Sequence, residues 1–244
     1  MADTPQPILS TVSPALHPAS VEPFAKAGEI VTKAAQRALK SMYVGLDAMQ
    51  VAEQLTRKDF GVGKVVDGSD IKLQIPYDKA VILHADLGTR FATIARGFDT
   101  SLGVVNDQIA TLESRISKAL ISSKRDAQSS GEAQDCRKYL TSLPANERMN
   151  VLHGAITAGD IDLCHAALAS PFAAGLSREQ AKVLRELSAE KFCTADVEAL
   201  TASKAMHAHL LGSSATFLAA YKKLLPSVRE TPHSAAVKKL KEDA

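Results

Sequence analysis

The feature that most constrains the fold is an apolar periodicity that runs from residue 87 to residue 120. Large apolar side chains recur there at steps of three or four residues, and we call this set the apolar seam: Leu87, Phe91, Ile94, Phe98, Leu102, Val105, Ile109, Leu112, Ile116 and Leu120. Such steps place a stripe along one side of a helix, as in coiled coils. The pattern predicts a long helix over 78–128 whose apolar side must be covered.

Two glycines, Gly97 and Gly103, interrupt this helical pattern. Each costs about 1 kcal/mol relative to alanine inside a helix. A kink or a tight antiparallel turn at 96–103 would fold the segment onto itself. Phe98 and Leu102 nevertheless continue the seam between the glycines, which favours a continuous or merely kinked helix. The sequence leaves both possibilities open.

A second amphipathic helix is predicted over 23–58. It opens at Pro23, and its apolar positions again recur at steps of three or four: Ala27, Ile30, Ala34, Ala38, Met42, Leu46 and Met49. At about 1.5 Å per residue it spans about 54 Å, against about 75 Å for 78–128. We therefore expect it to cover the first half of the seam, and another protein chain to cover the far end near Ile116 and Leu120.

The N-terminal residues 1–22 are rich in proline, serine and threonine. Prolines lack the backbone N–H that helices and sheets require, so the composition predicts an extended arm. A disordered tail is the simpler interpretation. If the arm instead lies on a neighbouring subunit, its anchors are Ile8, Leu9, Val12 and Leu16.

Residues 60–76 form the β-like stretch of the chain. Val65 and Val66 precede the turn dipeptide Asp67-Gly68, after which apolar residues alternate with polar ones at Ile71, Leu73 and Ile75. This arrangement predicts a small β-hairpin.

Shorter helices with clear end signals follow residue 137. Pro144 opens one helix, Gly159 ends it, Asp160 caps the next, and Ser177 with Gln180 forms a capping box. The predicted fold is all-α, with long coiled-coil-like helices and one small β-hairpin followed by a bundle of shorter helices. Its parts are an arm at 1–22, a long-helix domain at 23–127, a linker at 128–136, a helical bundle at 137–226 and a polar basic tail at 227–244.

Neither composition nor motifs indicate catalysis, a cofactor or a metal. The three cysteines are widely spaced, and His207 and His209 point to different sides of a helix. The residues FGVGKVV at 60–66 lack the spacing of a phosphate-binding loop. A net charge of +2 and a pI near 8.4 do not favour nucleic-acid binding. Without an apolar run of membrane-spanning length, no membrane contact is expected.

Residues 143–180 carry a set of turn and cap residues: Glu147-Arg148, Ala158-Gly159-Asp160, Ser170-Pro171 and Gly175-Leu176-Ser177. In this respect the segment resembles one found in uncharacterised helical virion-associated proteins of tailed bacteriophages and prophages. The resemblance implies a virion or assembly protein and assigns no active site.

Three hypotheses of function follow. The first is a structural or assembly protein of a bacteriophage particle, located in the virion or the host cytoplasm, that contacts further copies of itself or other assembly proteins through the seam and the arm. The second is a cytosolic adaptor whose 137–226 bundle holds a partner peptide. The third and least favoured is an enzyme with an unrecognised site.

Overall fold

The computed structural model describes residues 12–59, 77–121 and 131–225, except for the side chains of 54–59 and 77–80. All regular secondary structure in these ranges is helical, so the all-α fold class is confirmed. The hairpin predicted at 60–76, the anchors Ile8 and Leu9, and the tail at 227–244 lie outside the described residues. The α-helices are α1 (Glu29–Asp59), α2 (Tyr77–Ile121), α3 (Gly131–Ser142), α4 (Ala145–Ala158), α5 (Ile161–Ala169), α6 (Arg178–Phe192) and α7 (Thr194–Leu224).

The chain forms two compact units that do not follow one another along the sequence. Unit 1 comprises Met1–Pro23, Lys33–Gly103 and Ala208–Ala244, and unit 2 comprises Phe24–Thr32 and Val104–His207. Three of the four boundaries fall inside α1, α2 and α7, whereas the sequence suggested successive domains. Part of the predicted linker is also helical, because α3 begins at Gly131.

Helix α2 runs without a break from Tyr77 to Ile121, through Gly97 and Gly103. Ser101 donates a side-chain hydrogen bond of 3.0 Å to the carbonyl of Gly97, as helical hydroxyls often do four residues back. The continuous helix is therefore confirmed, and the alternative of a tight antiparallel turn at 96–103 is wrong.

Helix α1 begins at Glu29, so the predicted helix start at Pro23 is wrong. The preceding residues, Pro18–Ala27, form 3-10 turns with a break at Phe24 (φ −101°, ψ 17°). Gly28 has φ +106°, a conformation that favours glycine and ends these turns before α1. The two prolines of this stretch remove N–H donors that an α-helix would need.

The helix ends in unit 2 follow the predicted cap residues. Gly159 ends α4 with φ +81° and donates its N–H to the carbonyls of Ala155 and Ile156. The side chain of Asp160 accepts a hydrogen bond from the Leu163 N–H at 3.1 Å. Both bonds of the capping box between Ser177 and Gln180 are present, so these local predictions are confirmed.

The core of unit 2 is aliphatic. It forms where α3 packs on α5, and where α4, α5 and α6 pack on one another. Its large members are Ile116, Leu120, Leu140, Leu152, Ile156, Leu168, Leu176 and Leu184. Leucine and alanine dominate this core, which allows the short helices to approach closely.

Two arginines hold the backbone ends of these short helices. Arg148 on α4 donates from Nε to the carbonyl of Leu140 at 2.7 Å, from Nη2 to that of Leu143 at 2.9 Å, and from Nη1 to that of Gly175. Buried Arg137 on α3 donates to the carbonyl of Ala166 near the end of α5. Guanidinium groups thus donate hydrogen bonds to carbonyls at helix ends and in the turn at Gly175.

Candidate interaction surfaces

The first half of the apolar seam is packed inside unit 1. Leu87, Ile94 and Phe98 are buried, and Phe91 is half-buried. Helix α1 approaches closely at Gly45, where an added Cβ would overlap the side chain of Ile94. Cover of this half by the first long helix was the prediction, and the contact between α1 and α2 agrees with it.

Helix α7 also covers this part of the seam, which the sequence did not predict. The ring of Phe91 stacks on Phe217 with centroids 5.7 Å apart and on Tyr221 with centroids 4.3 Å apart. Aromatic pairs at such distances contribute about 0.5–1.5 kcal/mol beyond their buried area. Phe91 is therefore a packing residue shared between two helices of unit 1.

An apolar cleft of about 220 Å³ remains open beside these rings in unit 1. Residues of α1, α2 and α7 line it: Met42, Phe91, Ile94, Ala95, Phe98, Asp99, Ser214, Phe217 and Leu218. By comparison, an apolar cavity of about 150 Å³ is large enough to bind benzene. Four residues of its wall are aromatic or belong to the seam, so the cleft offers an apolar lining next to the packed seam.

The second half of the seam is buried inside unit 2. Leu112 and Val105 are buried, and Ile116 and Leu120 belong to the aliphatic core formed with α3 to α6. Two ion pairs flank this stretch, Arg115 with Asp196 at 2.9 Å and Glu113 with Lys204 at 2.7 Å. The expectation that another chain must cover the far end is wrong, because the short helices and α7 cover it.

The remaining seam residues, Leu102 and Ile109, are half-buried. Ile82, just before the seam, is exposed, while its neighbour Leu83 is buried.

The N-terminal segment from Val12 onward is not extended. Pro14–Leu16 forms a 3-10 turn, and Val12 and Leu16 are buried. Ser213 on α7 donates to the carbonyl of Ala15 at 3.0 Å, and the Ser20 hydroxyl lies 2.8 Å from Nε2 of His209. The anchors Val12 and Leu16 therefore pack within their own chain rather than being free to reach a neighbour.

The cysteine thiols are poorly suited to nucleophilic chemistry. Burial raises the pKa of the Cys164 thiol to about 11, against a smaller lowering by the Ser188 side chain. Burial also raises the pKa of Cys136 and that of Cys193. Since the thiolate is the reactive form, all three are protonated at neutral pH. Within the described ranges, no three His, Cys, Asp or Glu side chains converge to hold a metal ion.

The packing of helix α7 against the apolar seam is what sequence reasoning missed, although Leu200, Met206, Leu210 and Phe217 predict a helix there. Its buried positions also recur at steps of three or four: Ser203, Met206, Leu210, Ser213, Phe217 and Tyr221. Met206, Leu210 and Phe217 alone give a sparse stripe, because apolar periodicity counts Ser203 and Ser213 as polar. Ser203 satisfies its own hydroxyl by donating to the carbonyl of Ala199 at 2.8 Å. Counting small hydroxyl residues as compatible with a core extends the stripe along α7 and indicates a second buried helix face.

Comparison of the chain with protein-family models, with curated proteins and with solved structures gave no match. Among the described residues, no helix combines the length and the apolar character needed to cross a bilayer. Inference about function therefore depends on the surfaces of the chain itself.

Proposed function

We propose that this chain is a structural or assembly protein that acts through contacts with other protein chains, of the kind found in tailed-bacteriophage particles. The observation that carries the proposal is the apolar cleft of unit 1, which is lined by half-buried Phe91 together with Phe98 and Phe217. The resemblance of residues 143–180 to virion-associated proteins supports the phage setting.

The partner proposed for this cleft is a second copy of the chain. Phe172, in the turn between α5 and α6, is 77% exposed and is the most exposed aromatic residue among those described. An isolated exposed phenylalanine of this kind can fill an apolar cleft on another molecule. Phe172 and the cleft lie on different surfaces of the chain, so the contact between two copies is head-to-tail. Such contacts build rings or open filaments rather than two-fold dimers.

Sedimentation velocity of the full chain over a wide concentration range tests this proposal. Burying one phenylalanine side chain contributes about 1.5–3 kcal/mol. Phe172→Ser should therefore weaken association by about 10- to 100-fold without changing the circular dichroism spectrum. Tyr139→Ser is the matched control, because Tyr139 is also an exposed aromatic residue of unit 2, at 51%.

Mass spectrometry of purified phage particles tests the setting. The chain should be present in stoichiometric amounts. A monomer at all concentrations that is also absent from particles would contradict the proposal. A monomer that instead binds one specific protein through its helical bundle would favour the adaptor hypothesis.

A further inference from the structure

A basic groove of about 480 Å³ lies in unit 1, away from the apolar seam. One wall is a single face of α1, and the other is the segment from His17 to Glu22. The residues that line the groove are His17, Pro18, Ala19, Glu22, Lys33, Gln36, Arg37 and Lys40.

The cations of this groove are regularly spaced. Lys33, Arg37 and Lys40 stand four and then three residues apart, so they lie along one face of α1. Their Cα atoms span about 10 Å along the helix at about 1.5 Å per residue. Arg37 and Lys40 have no ion-pair partner among the described residues. The groove therefore presents a short row of cations, of which Arg37 and Lys40 can pair with the carboxylates of a ligand.

The opposite wall is held in place by its own chain. Nδ1 of His17 accepts a hydrogen bond from the Ala19 N–H at 3.2 Å, which fixes the orientation of the ring. The same ring packs edge-on against Tyr43, with centroids 5.5 Å apart. The contact of Ser20 with His209 attaches this wall to α7. A ligand would thus meet a prearranged groove with little ordering cost.

We propose that the groove binds an acidic helical segment of a partner protein, one that presents glutamate or aspartate side chains four and then three residues apart. Such a helix repeats its carboxylates at the same rise as the cations of α1, so the two rows match. This inference rests on the proposed function, since it specifies the chemistry of a second contact with an assembly partner.

A nucleic acid fits the groove less well. Single strands are held by aromatic side chains on which bases stack, and the lining contains no Phe, Tyr or Trp. Glu22 stands in the wall and would repel the closely spaced charges of a continuous phosphate backbone, whereas a helix can turn its carboxylates toward the row on α1 and an uncharged face toward Glu22. Three cations along about 10 Å also form a much shorter row than the stripe expected of a nucleic-acid surface.

Fluorescence anisotropy with the full chain tests the proposal. The probe is a labelled alanine-based helical peptide with three glutamates spaced four and three residues apart, and its control carries glutamine at those positions. The glutamate peptide should bind, and binding should weaken as NaCl is raised. Arg37→Gln/Lys40→Gln should weaken it by about 5- to 20-fold, since each exposed ion pair contributes up to about 1 kcal/mol.

Lys222→Gln/Lys223→Gln is the matched control, because it removes two exposed charges from α7 of the same unit. Equal losses in both double variants, or equal binding of the glutamine peptide, would overturn the proposal. So would an oligothymidylate that displaces the glutamate peptide and binds more tightly than it does.

The outcome is separable from that of the proposed function. If the chain stays monomeric and is absent from particles, yet the glutamate peptide binds and the Arg37/Lys40 variant does not, the proposed function fails and the groove stands. If the chain assembles but the peptide does not bind, the groove alone fails.

Discussion

Replacement of Arg148 should destabilise unit 2 far more than a surface arginine would. The guanidinium donates to three backbone carbonyls, those of Leu140, Leu143 and Gly175. At about 1 kcal/mol net for each hydrogen bond, Arg148→Met should cost about 3 kcal/mol in the free energy of unfolding. For a chain of this length, that corresponds to a decrease of about 6–12 °C in Tm.

Urea denaturation followed by circular dichroism at 222 nm measures this loss. Arg148→Lys should recover only a part of it, because an ammonium group cannot reach three carbonyls in the way that a planar fork does. Arg185→Met on α6 is the control, since Arg185 is exposed in the same unit. Its cost should stay within about 0.5 kcal/mol. If Arg148→Met costs no more than this control, the three bonds do not hold the unit together.

A substitution at Gly175 also tests whether the contacts of Arg148 stabilise unit 2. Its φ is +69°, and an added Cβ would lie 2.7 Å from Nη1 of Arg148. Gly175→Ala should thus both strain the backbone and displace the guanidinium. In the Arg148→Met background, Gly175→Ala should cost only the backbone strain. The loss in free energy of unfolding of the double variant should therefore be about 1–2 kcal/mol smaller than the sum of the losses of the two single variants. Additivity within about 0.5 kcal/mol would refute the link.

Three further predictions concern the packing. Leu184→Ala, in the fully buried core of unit 2, should cost about 2–5 kcal/mol in urea denaturation, while Val183→Ala, at 43% exposure, should cost under about 1 kcal/mol. A Cβ added at Gly97 meets open space, so Gly97→Ala should raise the free energy of unfolding by about 0.5–1 kcal/mol through helix propensity. A Cβ added at Gly45 overlaps Ile94, so Gly45→Ala should lower the free energy of unfolding by about 1 kcal/mol net, and both changes should appear in Tm. Because burial raises the pKa of Cys164 from 9.0 to about 11, the folded state holds the thiol proton more tightly than the unfolded state. The contribution of the protonated thiol to the free energy of unfolding is therefore complete below pH 9 and lost between about pH 9 and 11. Over that range, the free energy of unfolding should fall more steeply in the native chain than in Cys164→Ala.

Local signals were the part of the fold that the sequence predicted best. Gly159, Asp160 and Ser177 act on backbone groups within a few residues of themselves, so their roles do not depend on the rest of the chain. The long helix through Gly97 was predictable for a similar reason. Apolar periodicity is a property of the segment, and two glycines cost less than an uncovered seam would.

Which helices pack against one another was harder to predict from the sequence. The prediction assigned the far end of the seam to another chain because it considered only the two longest predicted helices. The actual cover comes from α3 to α6 and from α7, a helix that was predicted but whose packing partner its own residues do not indicate. Likewise, the prolines before α1 indicated an absence of α-helix, but 3-10 turns satisfy that constraint as well as an extended arm does. The basic groove arises from the return of that segment onto α1.

The placement of unit boundaries inside helices determines where this chain can be divided. A cut at the polar stretch before Gly131 would leave Ile116 and Leu120 on the wrong fragment, although both belong to the core of unit 2. The longer stretch of unit 2, 104–207, contains all the described members of that core, and it begins inside α2 and ends inside α7 rather than in loops. Recombination or proteolysis before Gly131 would therefore separate the core of unit 2 from two of its own side chains.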